Sequence, residues 1–523
     1  MNNNKVLLIH PPVSKPCEPP PGIAKLAGAL KKYHIEVNII DSNLEGMMYL
    51  NQLPLQADDT WTHRAFSRRK QNLEIIKRTK TYQNPDRYRQ AVFELNRILQ
   101  IHGRNAGVNI SLTNYQQPDL SPVISSDLIT AYKSHEKNLF FPYFEKRLRE
   151  VITNDNPGII GFSVNFLNQA LCAFAMAGYL RKVTRNIQII MGGGLITSWK
   201  RQPAWINPFE EIIDHLIAGP GEDAILALVG KKNYGKEGNG EGYHGEDYHK
   251  DHILPDFDKL ISNQYLSPGL IIPFSASSGC YWGKCSFCPE TAEKNLYEQT
   301  PKKIVISQLK QLTNRYSPAL IHLTDNTLSP SLLKEMAIDP PGAPWYGFAR
   351  ITNHLTDIGF CMALKKSGCV MLQIGLESGS QNVIDAFKKG IDLKIAEKAL
   401  ACLKQAGIAT YVYLLFGTPS ETETDALKTL DFTAQHSDNI SFLNLSIFNL
   451  PIYSEETNSL NTSHFYAGDL SFYKNFNHPS GWNRNKVREF LDKRFKRHPA
   501  IAPILRNDPP VFTSNHAALF CIH

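Results

Sequence analysis

A chain of 523 residues is longer than one hydrophobic core normally serves, so two or more domains are expected. With 42% hydrophobic and 20% charged residues it has the composition of a globular protein and not of a disordered one. Its formal net charge of +7 is mild for this length: enough to attract an anionic cofactor, too little for a nucleic-acid footprint.

The opening "MNNNKVLLIHPPVS" has only a short apolar run, broken at His10 and Pro11, so no secretory leader is read there. No apolar run approaches the length of a bilayer, and no membrane partner is expected. Nine cysteines, an odd number without a leader, point to reduced thiols and a cytoplasmic location.

In chain order, "KVLLIHPP" reads as a strand ended by prolines. "PPPGIAKLAGALKKYHI" follows as a helix entered at proline, and "EVNIIDSN" as a second strand ending on Asp41. That βαβ unit implies a parallel sheet with a right-handed crossover. From about 56 to 150 the alternation gives way to a basic helical insertion, including "RAFSRRKQNLEIIKRTK", whose charges read as solvated helix faces. The alternation resumes with "PGIIGFSVN" (strand), "QALCAFAMAGYLRKVT" (helix), "IQIIMGGG" (strand) and "DHLIAGPGEDAILALVG" (short strand, glycine turn, helix). Residues 1–230 are therefore expected to form a flavodoxin-like or Rossmann-like α/β domain interrupted by helices.

Residues 231–254 are Gly-rich and charged without an apolar period, and read as a linker. Past it, six strand candidates alternate with helical segments: "LIIPFSAS", "LIHLTDN", "WYGFAR", "MLQIGLE", "ATYVYLLFG" and "ISFLNLSIF". Six βα units in series over 255–450 suggest a complete or partial parallel barrel with its chemistry at the carboxyl ends of the strands. Residues 451–523 form a small extension to which no fold beyond a few helices is assigned.

The stretch "SASSGCYWGKCSFCPE" places Cys280, Cys285 and Cys288 just after the first barrel strand. A structural zinc site wants tetrahedral closure, yet no second C-x-x-C occurs, and His244, His249 and His252 sit in or beside the linker. An ordinary iron–sulfur carrier wants a fourth cysteine. Cys361 and Cys369 are available, but lie within or beside a helix, away from a strand's carboxyl end. The best fit is a 4Fe-4S cluster held by three thiolates, with one iron left open for a small molecule.

With these residues the chain resembles the radical S-adenosylmethionine superfamily, and its two-domain layout resembles the cobalamin-binding branch. The spacing here is C-x4-C-x2-C where the family usually has C-x3-C-x2-C; the extra residue lies next to Gly283, which can take the backbone angles of a wider loop. By resemblance, the open iron chelates S-adenosylmethionine, which reductive cleavage turns into a 5′-deoxyadenosyl radical. Phe287 would pack near the adenine. Glu377 in "IGLESGSQ", with Ser378 as a weaker candidate, would meet ribose hydroxyls or the methionyl amine. Asp325 in "LTDN" would face the methionyl group or substrate, and Arg350 could fork onto a carboxylate. Gly417 in "LLFGTPSET" would shape the turn near adenine. In the first domain the resemblance implies a cobalamin site over the turns that follow its strands. Its residues would be Pro12, Pro21, Gly22, Ser163, Asn165, Gly192, Gly193, Gly194, Gly219, Gly221 and Glu222. The D-x-H-x-x-G motif that supplies a lower axial histidine elsewhere is absent; "DYHKDH" begins like it but lacks the glycine.

The implied activity is hydrogen abstraction from an unactivated carbon followed by methyl transfer from cobalamin, in a closed cavity between the domains. A small molecule or peptide would be the substrate, and a flavodoxin or ferredoxin the electron donor. One rival is a radical rearrangement or cyclisation without methyl transfer; another is a non-catalytic cobalamin- or redox-sensing module. Methylthiolation of a nucleic acid fits less well, since neither an additional cysteine-bearing domain nor a basic terminal module is visible.

Overall fold

The computed structural model describes residues 5–184, 186–202, 205–231, 252–261, 265–507 and 512–522. Most of the stretch read as a linker, including "DYHKD", lies outside the described residues. The chain divides into two compact units: Met1–Pro268 with Ala467–Ser471, and Gly269–Tyr466 with Phe472–His523.

The first unit is built on β1 (Val6–His10), α1 (Pro21–Lys32) and β2 (Val37–Asp41). Pro21 opens α1, where a missing N–H costs nothing. Asp41 then caps α2 (Ser42–Gln52) by accepting the Leu44 N–H at 3.0 Å, so the helical excursion starts at once after β2, ahead of residue 56. It continues through α3 (Thr60–Ser67), α4 (Arg69–Ile76), α5 (Pro85–Asn105), α6 (Ser125–Lys133) and α7 (Phe141–Asp155). Within it Arg68, Lys70, Arg78 and Lys80 are exposed, as solvated faces should be. The buried Glu94 carboxylate is held by Arg64 at 3.1 Å and by Asn72 at 2.7 Å. The sheet resumes with β3 (Ile159–Ser163), followed by α8 (Leu167–Val183), β4 (Gln188–Gly192), α9 (Gly194–Lys200), β5 (His215–Leu216) and α10 (Glu222–Leu228).

All five strands run parallel in the order β2-β1-β3-β4-β5. This is the flavodoxin-like order, whose switch point lies between β1 and β3. A buried network fixes the loop after β1. His10 Nε2 pairs with Ser14 Oγ at 2.8 Å, the Ser14 N–H reaches Asn43 at 2.9 Å, and Gln169 donates to the Pro11 carbonyl at 2.8 Å. Burial lowers the His10 pKa, which keeps the ring neutral.

This unit runs on past residue 254, because the following segment is fastened to α1 and β2. The Asp256 N–H bonds the Ala24 carbonyl at 2.9 Å, Lys31 meets Asp256 and Asp258, and the Tyr265 hydroxyl donates to Asp41 at 2.8 Å. Residues 467–471 also join it: the Ser125 N–H donates to Asp469 at 2.9 Å, and the Leu470 N–H to the Val123 carbonyl at 3.0 Å.

The second unit is a six-stranded parallel sheet of β6 (Ile271–Phe274), β7 (Leu320–Leu328), β8 (Trp345–Ala349), β9 (Cys369–Glu377), β10 (Ala409–Phe416) and β11 (Phe442–Ile447). They pair in sequence order, and among the described residues β11 does not pair with β6, so the (β/α)6 barrel is partial. The helices between them include α11 (Lys302–Tyr316), α12 (Pro330–Ile338), α13 (Ile358–Lys366), α14 (Leu393–Gln405) and α15 (Glu423–Gln435). The extension holds more than helices. Leu450–Pro451 (β12), Thr462–His464 (β13) and Tyr473–Phe476 (β14) form a small antiparallel sheet in the order β12-β14-β13, ahead of α16 (Arg484–Lys493). Strands of two to four residues are too short to show an alternating pattern.

The grip of residues 253–256 on α1 depends on Gly28, where an added Cβ would lie 2.0 Å from the Leu254 carbonyl oxygen. Gly28→Ala should therefore cost about 1–3 kcal/mol of stability through overpacking. A urea or thermal midpoint equal to that of the unaltered chain would refute this.

Candidate functional site

The three thiols sit on the loop between β6 and α11. Its first residues are tied down by Asp325, at the carboxyl end of β7. That side chain is 2% exposed and accepts the Ala276 N–H and the Ser277 hydroxyl. Burial raises its pKa against the pull of these donors. Asp325 thus anchors the loop from beneath and does not face an open site. Its neighbour Asn326 donates to the Gly279 carbonyl at 3.3 Å.

Gly283 takes φ +58, the left-handed backbone that the wider cysteine spacing calls for. Cys285 is buried, while Cys280 and Cys288 are half-buried. Burial raises the Cys285 pKa against the opposing pull of Lys389 and Arg350, and pushes the Cys288 thiol up to about 11. The second and third cysteines share a turn, the Cys288 N–H bonding the Cys285 carbonyl at 3.2 Å. Among the described residues no three His, Cys, Asp or Glu side chains converge on a single-ion site. A four-iron cluster takes each thiolate on a different iron, so its ligands need not share one ion's shell. Cys369 is buried at the amino end of β9 and Cys361 lies within α13; neither stands at a strand's carboxyl end.

The loop is held from the far side by the segment after β9. Three successive carbonyls accept from it and its neighbour: Phe387 from the Ser286 N–H at 3.0 Å, Lys388 from the Trp282 indole at 3.0 Å, and Lys389 from the Arg350 guanidinium. Arg350 is buried, lies 4.1 Å over the Trp282 ring, and points Nη1 at Cys285 Sγ, 4.0 Å away. Phe287 packs edge-on against Phe387 at 5.2 Å, with the Lys389 ammonium 5.3 Å from its ring centre. Lys389 in turn pairs with Glu377 at 2.7 Å, both side chains largely buried. Glu377 closes β9 with a left-handed φ of +69, at a register shift against β10.

Six of the expected barrel residues thus gather around or behind the cysteine loop: Cys280, Cys285, Cys288, Phe287, Arg350 and Glu377. Ser378 does not present its hydroxyl. It is fully buried, pairs with Thr429 at 3.1 Å and accepts the Ser380 N–H, so it braces the turn and does not line a site. Gly417 has φ +77, its N–H is taken by the Glu421 carboxylate, and Val487 of α16 packs close to its Cα. Trp282, Phe387, Lys389 and Glu421 escaped the sequence reading. Phe387 and Lys389 act across space on the motif residues, while Glu421 takes the N–H of Gly417, four residues before it.

In the first unit a cleft of about 220 Å³ opens at the carboxyl edge of the sheet. Gly22, Ser163, Asn165, Gly192, Gly193, Gly219, Gly221 and Glu222 are among the residues that line it. Glu222 is ion-paired with Lys25 at 2.8 Å, both lining the cleft. Pro12, Pro21 and Gly194 are not among the lining residues, and the Gly194 N–H is spent on Asn165 at 3.0 Å.

A separate buried acid braces the turn after β10. The Glu421 carboxylate is fully buried, accepts the Trp482 indole N–H at 2.9 Å, and is pushed up to about 7 by burial. The folded chain therefore keeps this proton where the unfolded chain, with an ordinary value of 4.5, has lost it. Folding takes up a proton between those pH values, and its contribution to stability falls as pH rises across the window. Glu421→Gln should flatten that fall in urea midpoints taken over the same window; an unchanged pH slope would refute the assignment.

Residues 274–433 match the model of the Radical SAM superfamily. An uncharacterized methyltransferase of Pyrococcus horikoshii is 25% identical over 310 residues, 54% of this chain and 66% of that protein. The anaerobic magnesium-protoporphyrin IX monomethyl ester cyclase of Cereibacter sphaeroides is 23% identical over 330 residues, 57% of this chain and 51% of that protein. The chain thus aligns with between half and two thirds of these relatives' lengths. The solved structure of the radical S-adenosylmethionine methyltransferase TsrM from Kitasatospora setae, with cobalamin and a 4Fe-4S cluster bound, superposes with a TM-score of 0.53. It does so at 16% identity, over 86% of this chain and 76% of that one, which establishes a shared fold. With its ordered six-strand barrel and its cysteine loop, this chain carries a Radical SAM superfamily domain over residues 274–433.

Proposed function

We propose that the protein is a radical S-adenosylmethionine enzyme that uses a cobalamin to methylate an unactivated carbon of a small molecule or peptide. The observation that carries this reading is a three-thiol loop at the carboxyl end of a radical SAM barrel, in a chain that also has a flavodoxin-like unit with a cleft at its switch point.

The residues fit the groups. Three thiols on one loop are a soft donor set suited to iron, and two cations, Arg350 and Lys389, stand close enough to Cys285 to favour its thiolate. The cleft is floored by glycines from separate turns, so backbone can approach a bulky ligand without side chains intervening. Cys280, Cys285 and Cys288 would hold the cluster; Gly22, Ser163, Asn165, Gly192 and Gly219 would bound the cobalamin. When bound, the cluster supplies the electron that cleaves S-adenosylmethionine to a carbon-centred radical, and cobalamin supplies a transferable methyl group.

The chain's own part is placement and shielding. Arg350 sets a fixed positive charge beside Cys285, and Lys389 holds one carboxylate oxygen of Glu377, which would offer the other to a donor on the nucleotide. Asp325 and the carbonyls of 387–389 keep the loop from moving when ligand binds. Of the three thiols Cys285 is buried, which begins the shielding from water that a radical step requires. A flavodoxin or ferredoxin is the electron donor of this reading. No described helix is long and apolar enough to cross a membrane, and all nine cysteines are free, which supports a reducing, cytoplasmic setting.

A second reading, radical ring closure without methyl transfer, is favoured by the likeness to the cyclase. The two separate in anaerobic turnover. Methyl transfer yields S-adenosylhomocysteine together with 5′-deoxyadenosine, and ring closure yields 5′-deoxyadenosine alone. Cys285→Ala should abolish bound cluster iron and S-adenosylmethionine cleavage together. Full iron content in that variant would defeat both readings and leave a sensing module as the alternative.

A further inference from the structure

Between Cys280 and Cys285 lie four residues, Tyr281 to Lys284, and a loop one residue longer than the usual family spacing needs something to take up its slack. Trp282 is the residue placed to do so. Its indole N–H is bonded to the Lys388 carbonyl, and the edge of its ring lies on Gly390 so closely that a Cβ there would be 2.3 Å from Cζ2 and 2.6 Å from Cη2. Over the ring sits the Arg350 guanidinium, which bonds the Lys389 carbonyl and reaches back to Cys285 Sγ. On the other flank of Cys285 the Ser286 N–H is bonded to Phe387. The path from Gly390 through Trp282 and Arg350 thus ends on a thiol sulfur.

Besides the Arg350 guanidinium, the Lys284 ammonium lies 5.1 Å from the centre of the Trp282 ring. A cavity of about 230 Å³ is walled by Trp282, Arg350, Gly390, Ile391 and Ile395. The seating of the indole therefore rests on a few defined contacts beside an open cavity.

We propose that Trp282 and Gly390 form a latch that seats the cysteine loop and holds Arg350 against Cys285, which makes both of them positioning residues for the cluster. This rests on the reading that the three thiols bind a cluster. The latch works by steric seating: Gly390 leaves room for the ring, the ring supports the guanidinium, and the guanidinium fixes the charge beside the sulfur. Gly390 is also left-handed, at φ +64, so a control must separate backbone strain from loss of the seat. Gly407 supplies it. Its φ is +71, yet an added Cβ there would meet only Lys365 Cε at 3.8 Å.

The test uses the full chain, anaerobically loaded with iron and sulfide, and reads iron per chain, the rate of iron loss to a ferrous chelator, and the cluster's midpoint potential. Trp282→Ala and Gly390→Ala should each speed iron loss by about 10-fold or more, the usual scale for residues that orient metal ligands, and both should shift the potential. The double variant should lose iron no faster than the faster single one, because the two changes break a single contact. Trp282→Phe, which keeps a ring face for Arg350 but not the N–H, should fall between wild type and Trp282→Ala. Gly407→Ala should behave as wild type. Wild-type iron loss and potential in both single variants would overturn the latch, as would equal effects of Gly390→Ala and Gly407→Ala. Cys285→Ala run alongside separates the failures: full iron there defeats the cluster reading itself, whereas lost iron there with unaffected Trp282 and Gly390 variants defeats only the latch.

Discussion

Hydrogen bonding by three consecutive carbonyls, those of Phe387, Lys388 and Lys389, is the constraint on which the second unit's site depends. A loop with three cysteines and a left-handed glycine has little regular structure beyond the strand Ser277–Ser278 and the short helix Pro289–Ala292, and burial raises the pKa of Cys285 and Cys288. Such a loop needs an external template. The exit of the fourth barrel strand provides one, because Glu377 turns the chain sharply and the short helix Gln381–Ala386 returns it toward the cysteines. Asp325 does the same work from the other side, with its carboxylate on the loop's first residues. The cysteines are therefore placed by residues at the ends of two other barrel strands.

The first unit solves a different problem with the same architecture. Its strand order makes the chain depart in opposite directions from β1 and β3, and the gap so produced at their carboxyl ends is where an open parallel sheet admits a ligand. Small residues from four separate turns keep the gap open, and Lys25 and Glu222 supply its charged pair. The buried histidine, amide and serine network under the loop after β1 keeps that edge rigid. A cleft kept open in this way is a property of turn composition, and the family resemblance pointed to the turns that line it.

Much of the architecture was legible because its signals are local. All six barrel strands and all five strands of the first sheet fall where apolar runs end on turn residues. The cysteine spacing is equally sequence-local, whereas the cleft residues came from the family resemblance. What stayed hidden depends on contacts between distant segments. Asp325 and Ser378 carry motif-like neighbours, but their hydrogen bonds to Ala276, Ser277 and Thr429 make them braces. Trp282 and Lys389 are ordinary in sequence and become informative only when the cysteine loop meets the exit of β9. The domain limit at 254 followed a change in composition, whereas the chain keeps to the first unit until Pro268 because Asp256 and Tyr265 find partners there.

The excursion of residues 467–471 into the first unit bears on how the two units are inherited and handled. Five residues from late in the chain supply Asp469 and the Leu470 backbone to the helical insertion near Val123 and Ser125. Severing the polypeptide after Pro268 would remove the partners of the Ser125 N–H and the Val123 carbonyl and leave both to solvent. The first unit is thus finished by a segment encoded beyond the barrel, so a cut or crossover placed between the two stretches of chain takes away part of its packing.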